Sequence, residues 1–358
     1  MILLPALALA ALLPVQSERI VMLDGTPTIG TLEAATLDEV RWSGKDGTEH
    51  SMPGNEILAI LPTAGTELLR QGEQLAAQLD WANAAASFEA AAGEDGPFWL
   101  QPWAGLRWAE CLLKAAGEEA GPAGSAAEAF RTWCDANPDS WWLPRARIGQ
   151  ARALAVAGRT DQASTLMQGV ADLAFEKNLP DHIELEAALT RCEAFLRGNQ
   201  VDVAEARLRD VASKADQGLA GNLPRGVRSR VAELRAEARV LLGDAIRAKS
   251  GMPAAVAYWE GLASDPRTVP DVRAAAWTGL AAAAREAGRL REAQALLGRV
   301  VSTLPAGPEV MGRALFELGD LAQEAGDRPV AGKTYFQIIL DRYPQSSWAA
   351  KARARIGG

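Results

Sequence analysis

The sequence predicts a mainly α protein: a solenoid of about seven helix-turn-helix repeats, preceded by a small all-β barrel. Three observations predict it. After residue 62 the apolar residues recur at helical intervals, and loops such as "AAGEDGP", "EEAGPAGS" and "STLPAGP" cut the helices into pairs. A frame of Ala, a large residue four later and an apolar residue three after that returns seven times between residues 84 and 338. Residues 18–61 break this pattern with short alternating runs and Asp-Gly turns. A chain of 358 residues is long for one small domain and suits such an array.

The N-terminal "MILLPALALAALLPVQSERI" opens on an apolar run of about a dozen residues, too short for the ~20 that a spanning helix needs. Its length suits the core of a secretory signal peptide, although no Lys or Arg precedes it. Val15 and Ser17 are small residues placed before a cut, so residues 1–17 are expected to form the signal peptide and Glu18 the mature start. The first cysteine is Cys111, far from the cut, which argues against a lipid anchor. The expectation is an exported protein, periplasmic or secreted, with no transmembrane helix after signal removal.

Residues 18–62 are expected to form the β module. "RIVMLDGTPTIGTLEA" holds two strands joined at Asp24-Gly25, and "EVRWSGKDGTEHSM" repeats the design around Asp46-Gly47. "EILAIL" supplies a fifth strand after the Pro53-Gly54 break. The order and turns resemble SH3-like and Sm-like small barrels, which bind RNA or peptides. Here 3 Lys and Arg stand against 8 Asp and Glu over 18–62, a balance that repels a phosphate backbone. The whole chain, at −8, likewise lacks the basic footprint of nucleic-acid binding.

Residues 63–358 are expected to form the repeat array and a C-terminal capping helix. In "AAAWTGLAAAAREAGRLREAQALLGRVVSTLP", Trp277, Leu280 and Ala281 share one face of a first helix, Gly288 turns the chain, and Ala293, Leu297 and Val300 share one face of a second. The seven copies are Ala84/Phe88/Ala91, Ala126/Phe130/Trp133, Ala163/Met167/Val170, Ala204/Leu208/Val211, Ala255/Trp259/Leu262, Ala293/Leu297/Val300 and Ala331/Tyr335/Ile338. Over roughly residues 66–358 this resembles the tetratricopeptide repeat, and the last copies with "DRYPQSSWAAKARARI" resemble periplasmic members of cell-envelope assembly such as Tol–Pal adaptors. That resemblance implies a non-catalytic scaffold whose first helices line a concave groove for partner proteins or peptides. It places Arg145, Arg152, Glu193, Arg197, Asp244, Arg247, Arg285, Phe316 and Asp320 near the groove. The paired Lys and Asn clamp of chaperone-type relatives is missing.

"AGDRPVAGKTYF" ends like a phosphate-binding loop, but five residues separate Gly326 from Gly332 where that loop has four. Helical spacing before it leaves no preceding strand, so the stretch is assigned to the seventh repeat, with Lys333 pointing to solvent. No catalytic constellation is found: the two histidines, His50 and His182, are expected at the surface, and no metal or cofactor is implied. Cys111, Cys134 and Cys192 fit no Cys-x-x-Cys or zinc spacing. Either they are buried free thiols or Cys111 pairs with Cys134. Eleven tryptophans are the unusual feature, six of them within 99–142. Adjacent Trp141 and Trp142 point about 100° apart on a helix. They either pack at a helix start or form an exposed aromatic pair for a peptide or sugar ring, the latter giving an alternative glycan- or peptidoglycan-binding role. Arg225, Arg228, Arg235 and Arg239 lie within about 80° on one helix, as a solvated face or a site for an acidic partner.

Overall fold

The computed structural model describes residues 18–62, 65–324, 329–344 and 346–357. The expected signal peptide and the Gly326 turn lie outside these residues.

Five strands come first: β1 (Glu18–Met22), β2 (Pro27–Ala35), β3 (Glu39–Gly44), β4 (Glu49–Pro53) and β5 (Ile57–Leu61). Gly25 (φ 88°) and Gly47 (φ 80°) supply the left-handed backbone of the two hairpin turns. The preceding aspartates lock them, Asp24 accepting from the Thr26 amide at 2.7 Å and Asp46 from the Thr48 amide at 3.0 Å. Val40 and Trp42 are buried while Arg41 between them is exposed, the alternation of a strand with one covered face.

The strands form one antiparallel sheet in the order β4-β3-β2-β1-β5. The expected closed barrel is not formed: β4 and β5 stand at opposite edges, and no ladder joins them. The reason lies in what covers the apolar face. Ile20, Leu32, Val40, Trp42, Ile57 and Ile60 belong to the same buried cluster as Trp99, Trp103 and Trp142 of the helical region, so helices do the covering that closure would otherwise do. Backbone bonds fix the joint, from Leu37 N to Asp139 O at 3.0 Å and from Trp141 N to Ala35 O at 3.0 Å.

Fifteen helices follow among the described residues, in seven hairpins and a cap. The first helices are α1 (Glu67–Ala77), α3 (Leu100–Ala116), α5 (Leu143–Val156), α7 (Asp181–Arg197), α9 (Arg225–Ser250), α11 (Pro270–Glu286) and α13 (Pro308–Glu324). Their partners are α2 (Trp81–Ala92), α4 (Ala120–Ala136), α6 (Thr160–Glu176), α8 (Val201–Ala220), α10 (Met252–Ser264), α12 (Leu290–Thr303) and α14 (Pro329–Arg342); α15 (Ser347–Gly357) closes the array. Every hairpin turn within the described residues contains a left-handed residue: Leu79, Gly117, Gly158, Asn199, Gly251 and Gly288.

Each sequence copy falls on a second helix. The Ala positions 84, 126, 163, 204, 255 and 293 are fully buried, and the large residues four later are at most 5% exposed. The seventh copy is shifted by one. Phe336 and Ile339 are fully buried and Gly332 is buried, while Tyr335 and Ile338 are half-buried. Lys333 is exposed. Glycines on first helices let the large rings seat: a Cβ on Gly149 would come within 2.5 Å of the Phe130 ring, and one on Gly319 within 2.5 Å of Phe336.

The array curls until its ends touch. Leu79, in the α1–α2 turn, shares a buried cluster with Leu315, Phe316 and Phe336, and Arg353 donates to the Gln78 carbonyl at 3.4 Å. The β1–β2 turn reaches across to α9, where Gly226 N donates to Leu23 O at 3.0 Å. Among the described residues no helix is long and apolar enough to cross a membrane.

Candidate functional site: a channel walled by first helices

Curling encloses a channel of about 2060 Å³, walled by α1, α3, α5, α7 and α9, with β5 on one side and Ala350 and Lys351 of α15 at its rim. Successive hairpins stack in the same sense, so the corresponding faces of these five first helices turn inward.

The wall carries a ladder of ion pairs between neighbouring first helices. Arg107 Nη2 meets Glu73 at 2.9 Å, and its Nη1 meets Glu110 at 2.6 Å. Glu110 in turn holds Arg145 at 2.6 Å. Arg152 reaches Glu186 at 3.4 Å and Glu193 at 3.7 Å, and Arg230 reaches Glu186 at 3.0 Å. Burial opposes the charge on Glu110, but Arg145 and Arg107 outweigh it and hold this carboxyl below the ordinary value. Glu186 is held down against burial in the same way by Arg230 and Arg152. Glu193 is different: burial, helped by the neighbouring Glu237 and Glu186, pushes it up to about 7 against the pull of Arg152 and a weaker one from Arg197.

Of the residues placed near a groove by sequence, Arg145, Arg152, Glu193 and Arg197 line this channel. Arg197 pairs across it with Glu118 at 2.6 Å. The others lie further along the array. Arg247 pairs with Glu286 at 2.7 Å, Arg285 with Glu324, and Asp320 with Arg355 at 3.3 Å. Phe316 is 9% exposed, packed between the Phe336 and Trp348 rings. Asp244 is buried enough for its pKa to rise.

Sequence reasoning missed Arg107, Glu110, Glu186, Arg230, Glu233 and Glu237. A signal existed: Glu73/Arg107, Glu110/Arg145 and Arg152/Glu186 are opposite charges 34 or 35 positions apart, on successive first helices.

His182 is a correction. It was expected at the surface but is 7% exposed, lining the channel, and burial lowers its pKa to about 4. Curvature, which a local pattern does not encode, brings α9 over it. His50 is exposed and stacks on Trp42, ring centroids 5.1 Å apart. Of the two readings of the tryptophan pair, packing at a helix start is the one observed. Trp142 is 2% exposed and donates Nε1 to Ile60 O at 3.3 Å, while half-buried Trp141 donates to Gly54 O at 3.1 Å. The two rings meet edge to face and clamp the sheet to α5, so they offer no open aromatic platform.

The arginine row on α9 finds its partner inside the chain. Arg235 and Arg239 each reach Asp216 at 2.9 Å, and Arg228 caps the end of α8 at the Leu219 and Gly221 carbonyls. The three cysteines are free, and burial pushes Cys111 and Cys134 up to about 11 and Cys192 up to about 12. Among the described residues no three His, Cys, Asp or Glu side chains gather as a metal site.

The fold thus defines a mainly helical protein of repeated hairpins with an open β-sheet at its N-terminal end. No family model matches the chain, and no curated protein matches it. Solved structures do. A tetratricopeptide repeat protein from Parabacteroides merdae superposes with a TM-score of 0.42 at 13% identity, covering 81% of this chain and 96% of that one. The apo form of RapI gives 0.40 at 10%, covering 81% and 97%. The apo form of the quorum sensor NprR from B. thuringiensis gives 0.39 at 10%, covering 76% and 74%. The likeness extends to the helical make-up of the chain and no further.

Proposed function

We propose that this chain is a tetratricopeptide-type, non-catalytic scaffold that is exported to the cell envelope and holds an extended segment of a partner protein in its central channel. The channel carries the reading. Its volume of about 2060 Å³ is larger than that of an ordinary small-molecule site, and its walls carry both ion pairs and apolar side chains such as Leu113, Ile148, Ile183 and Leu241. Interhelical pairs hold the charged groups in place before a ligand arrives, which lowers the ordering cost of binding. The sheet, tied to α5 and α9, closes one side. The tetratricopeptide assignment rests on the six buried Ala/large-residue copies, and the export assignment on the apolar run of residues 1–17.

Capture from extracts of the producing cells tests the binding role. Ser229 and Ala77 are exposed within the channel, so Ser229→Trp and Ala77→Trp plug it without disturbing the core. Partners retained by the wild type and lost with both plugs support the reading; partners retained equally by the plugged forms contradict it. N-terminal sequencing of the protein recovered from the envelope fraction is expected to begin at Glu18. Recovery only from the cytoplasm with Met1 in place would remove the export reading.

A further inference from the structure

The two ends of the array meet along a seam that is also part of the channel wall. Leu79 and Trp81 line the channel on one side of it, and Ser346, Ala350 and Lys351 line it on the other. Elsewhere in the wall, neighbouring first helices belong to consecutive hairpins and are tied by the ion-pair ladder. The seam joins residues more than two hundred positions apart, and no helix lies along another across it. Among the described residues no ion pair joins the two ends. The Leu79 side chain holds the seam, 7% exposed among Leu315, Phe316 and Phe336. Trp81 packs beside it, against both this cluster and the core of the first hairpins. The hydrogen bond from Arg353 to the Gln78 carbonyl is 3.4 Å long, beyond the about 2.7–3.2 Å of a well-formed one.

A second observation singles out Leu79. Four hairpin turns close in the same way: Asp80 N donates to Leu75 O at 3.0 Å, and Arg159 N to Leu154 O, Gln200 N to Phe195 O and Arg289 N to Ala284 O at 2.8 Å each. The residue before each donor is left-handed: Leu79 (φ 62°), Gly158 (φ 80°), Asn199 (φ 57°) and Gly288 (φ 74°). Glycine and asparagine accept that backbone readily, and leucine does not. The turn itself gains nothing from leucine at this position. What offsets the strain is the burial of its side chain against the far end of the chain.

We propose that Leu79 is a latch on this seam, and that the seam opens to admit an extended partner segment sideways into the channel. The entry half rests on the reading of the channel as a site for a partner segment. Burying one leucine favours the closed state by about 10- to 100-fold, enough to keep the ring shut and little enough for it to open. A segment flanked by folded domains enters by this route without threading an end.

Spin labels at Gln74→Cys and Ala354→Cys, both exposed, read the gap by pulsed dipolar spectroscopy on the full chain without ligand. Cys134→Ala removes the half-buried native thiol, and the other two are buried. The latch predicts a short distance in the parent and an added longer population in Leu79→Gly, its share raised at least ~10-fold. A leucine that serves only the turn predicts no change, because glycine suits this backbone; an unchanged distribution therefore overturns the latch. Entry is tested with peptides selected from a displayed random library on Leu79→Gly and blocked by Ser229→Trp. Bridging Gln78→Cys to Arg353→Cys with a short bis-maleimide should slow their association at least ~10-fold relative to the same pair capped with a monofunctional maleimide. Equal rates overturn sideways entry and leave the channel reading standing. Peptides indifferent to the plug, or none recovered, overturn the channel reading and the entry route together, and the latch is then judged by the distances alone.

Discussion

Replacing Gly279 by alanine tests how the repeats pack. Trp259 of α10 lies with its ring between Gly243 of α9 and Gly279 of α11. A Cβ on Gly279 would sit 2.5 Å from Trp259 Cδ2 and Cε2 and 2.9 Å from Cε3. Carbon atoms at rest are about 3.5–4.0 Å apart, so the overlap is roughly 1 Å. The ring is 5% exposed and backed by Gly243, which leaves it little room to retreat. Overpacking of this kind costs about 1–3 kcal/mol. Alanine regains about 1 kcal/mol over glycine as a helix former. The expected net loss is therefore on the order of 1 kcal/mol, reaching about 2. Gly298 of α12 has nothing within 4 Å of its would-be Cβ, so Gly298→Ala should gain up to about 1 kcal/mol. Urea denaturation followed by circular dichroism reads the global effect. Native-state hydrogen exchange of α9–α11 reads the local one, which matters because repeat arrays need not unfold all at once. If both variants stabilise equally, Trp259 is not seated between the two glycines and the packing described here is wrong.

Three further outcomes follow from the same structure. Trp142→Ala should cost about 3–5 kcal/mol and loosen the sheet from α5, seen as rapid proteolysis between the sheet and α1; Trp142→Phe should be much milder. His182, facing Glu186 and Arg230, has its pKa lowered from 6.5 to about 4, so its contribution is present above pH 6.5 and is lost as pH falls through 4. That difference is worth about 3 kcal/mol, and His182→Gln should flatten the urea midpoint between these pH values. Cys111 and Cys192, pushed up to about 11 and 12, should react with a thiol reagent at pH 8 only after denaturation; fast labelling of the native protein would contradict their burial.

Much of the array was legible because the tetratricopeptide-like frame is a burial code. A small residue at Ala84 or Ala293 allows helix approach, and Phe88 or Leu297 fills the space beyond. The seventh copy slipped because two frames compete there. Ala331 and Gly332 are both small, Tyr335 and Phe336 both aromatic, and Ile338 and Ile339 identical. Only the start of α14 at Pro329 and the approach of Gly332 to Gly319 decide between them. The strands were readable from alternation and Asp-Gly turns, but alternation says only that one face is covered. It does not say whether strands or, as here, Trp103 and Trp142 cover it. The burial of His182 and the closing of the channel depend on curvature summed over many repeats, a property no single window holds. All nine groove residues came from the first-helix frame, and four of them, Arg145, Arg152, Glu193 and Arg197, line the channel. Arg247, Arg285 and Asp320 follow the same frame but lie past the channel, tying α9 to α11, α11 to α13 and α13 to α15.

Photocrosslinking in the producing cells tests the central claim most directly. A benzophenone side chain is placed at Leu113, inside the channel, or at Phe175, which is 89% exposed and outside it. A channel that holds a partner predicts a discrete crosslinked protein from position 113, absent from position 175 and lost with Ser229→Trp. Crosslinks that are the same from both positions, or unchanged by the plug, would contradict it.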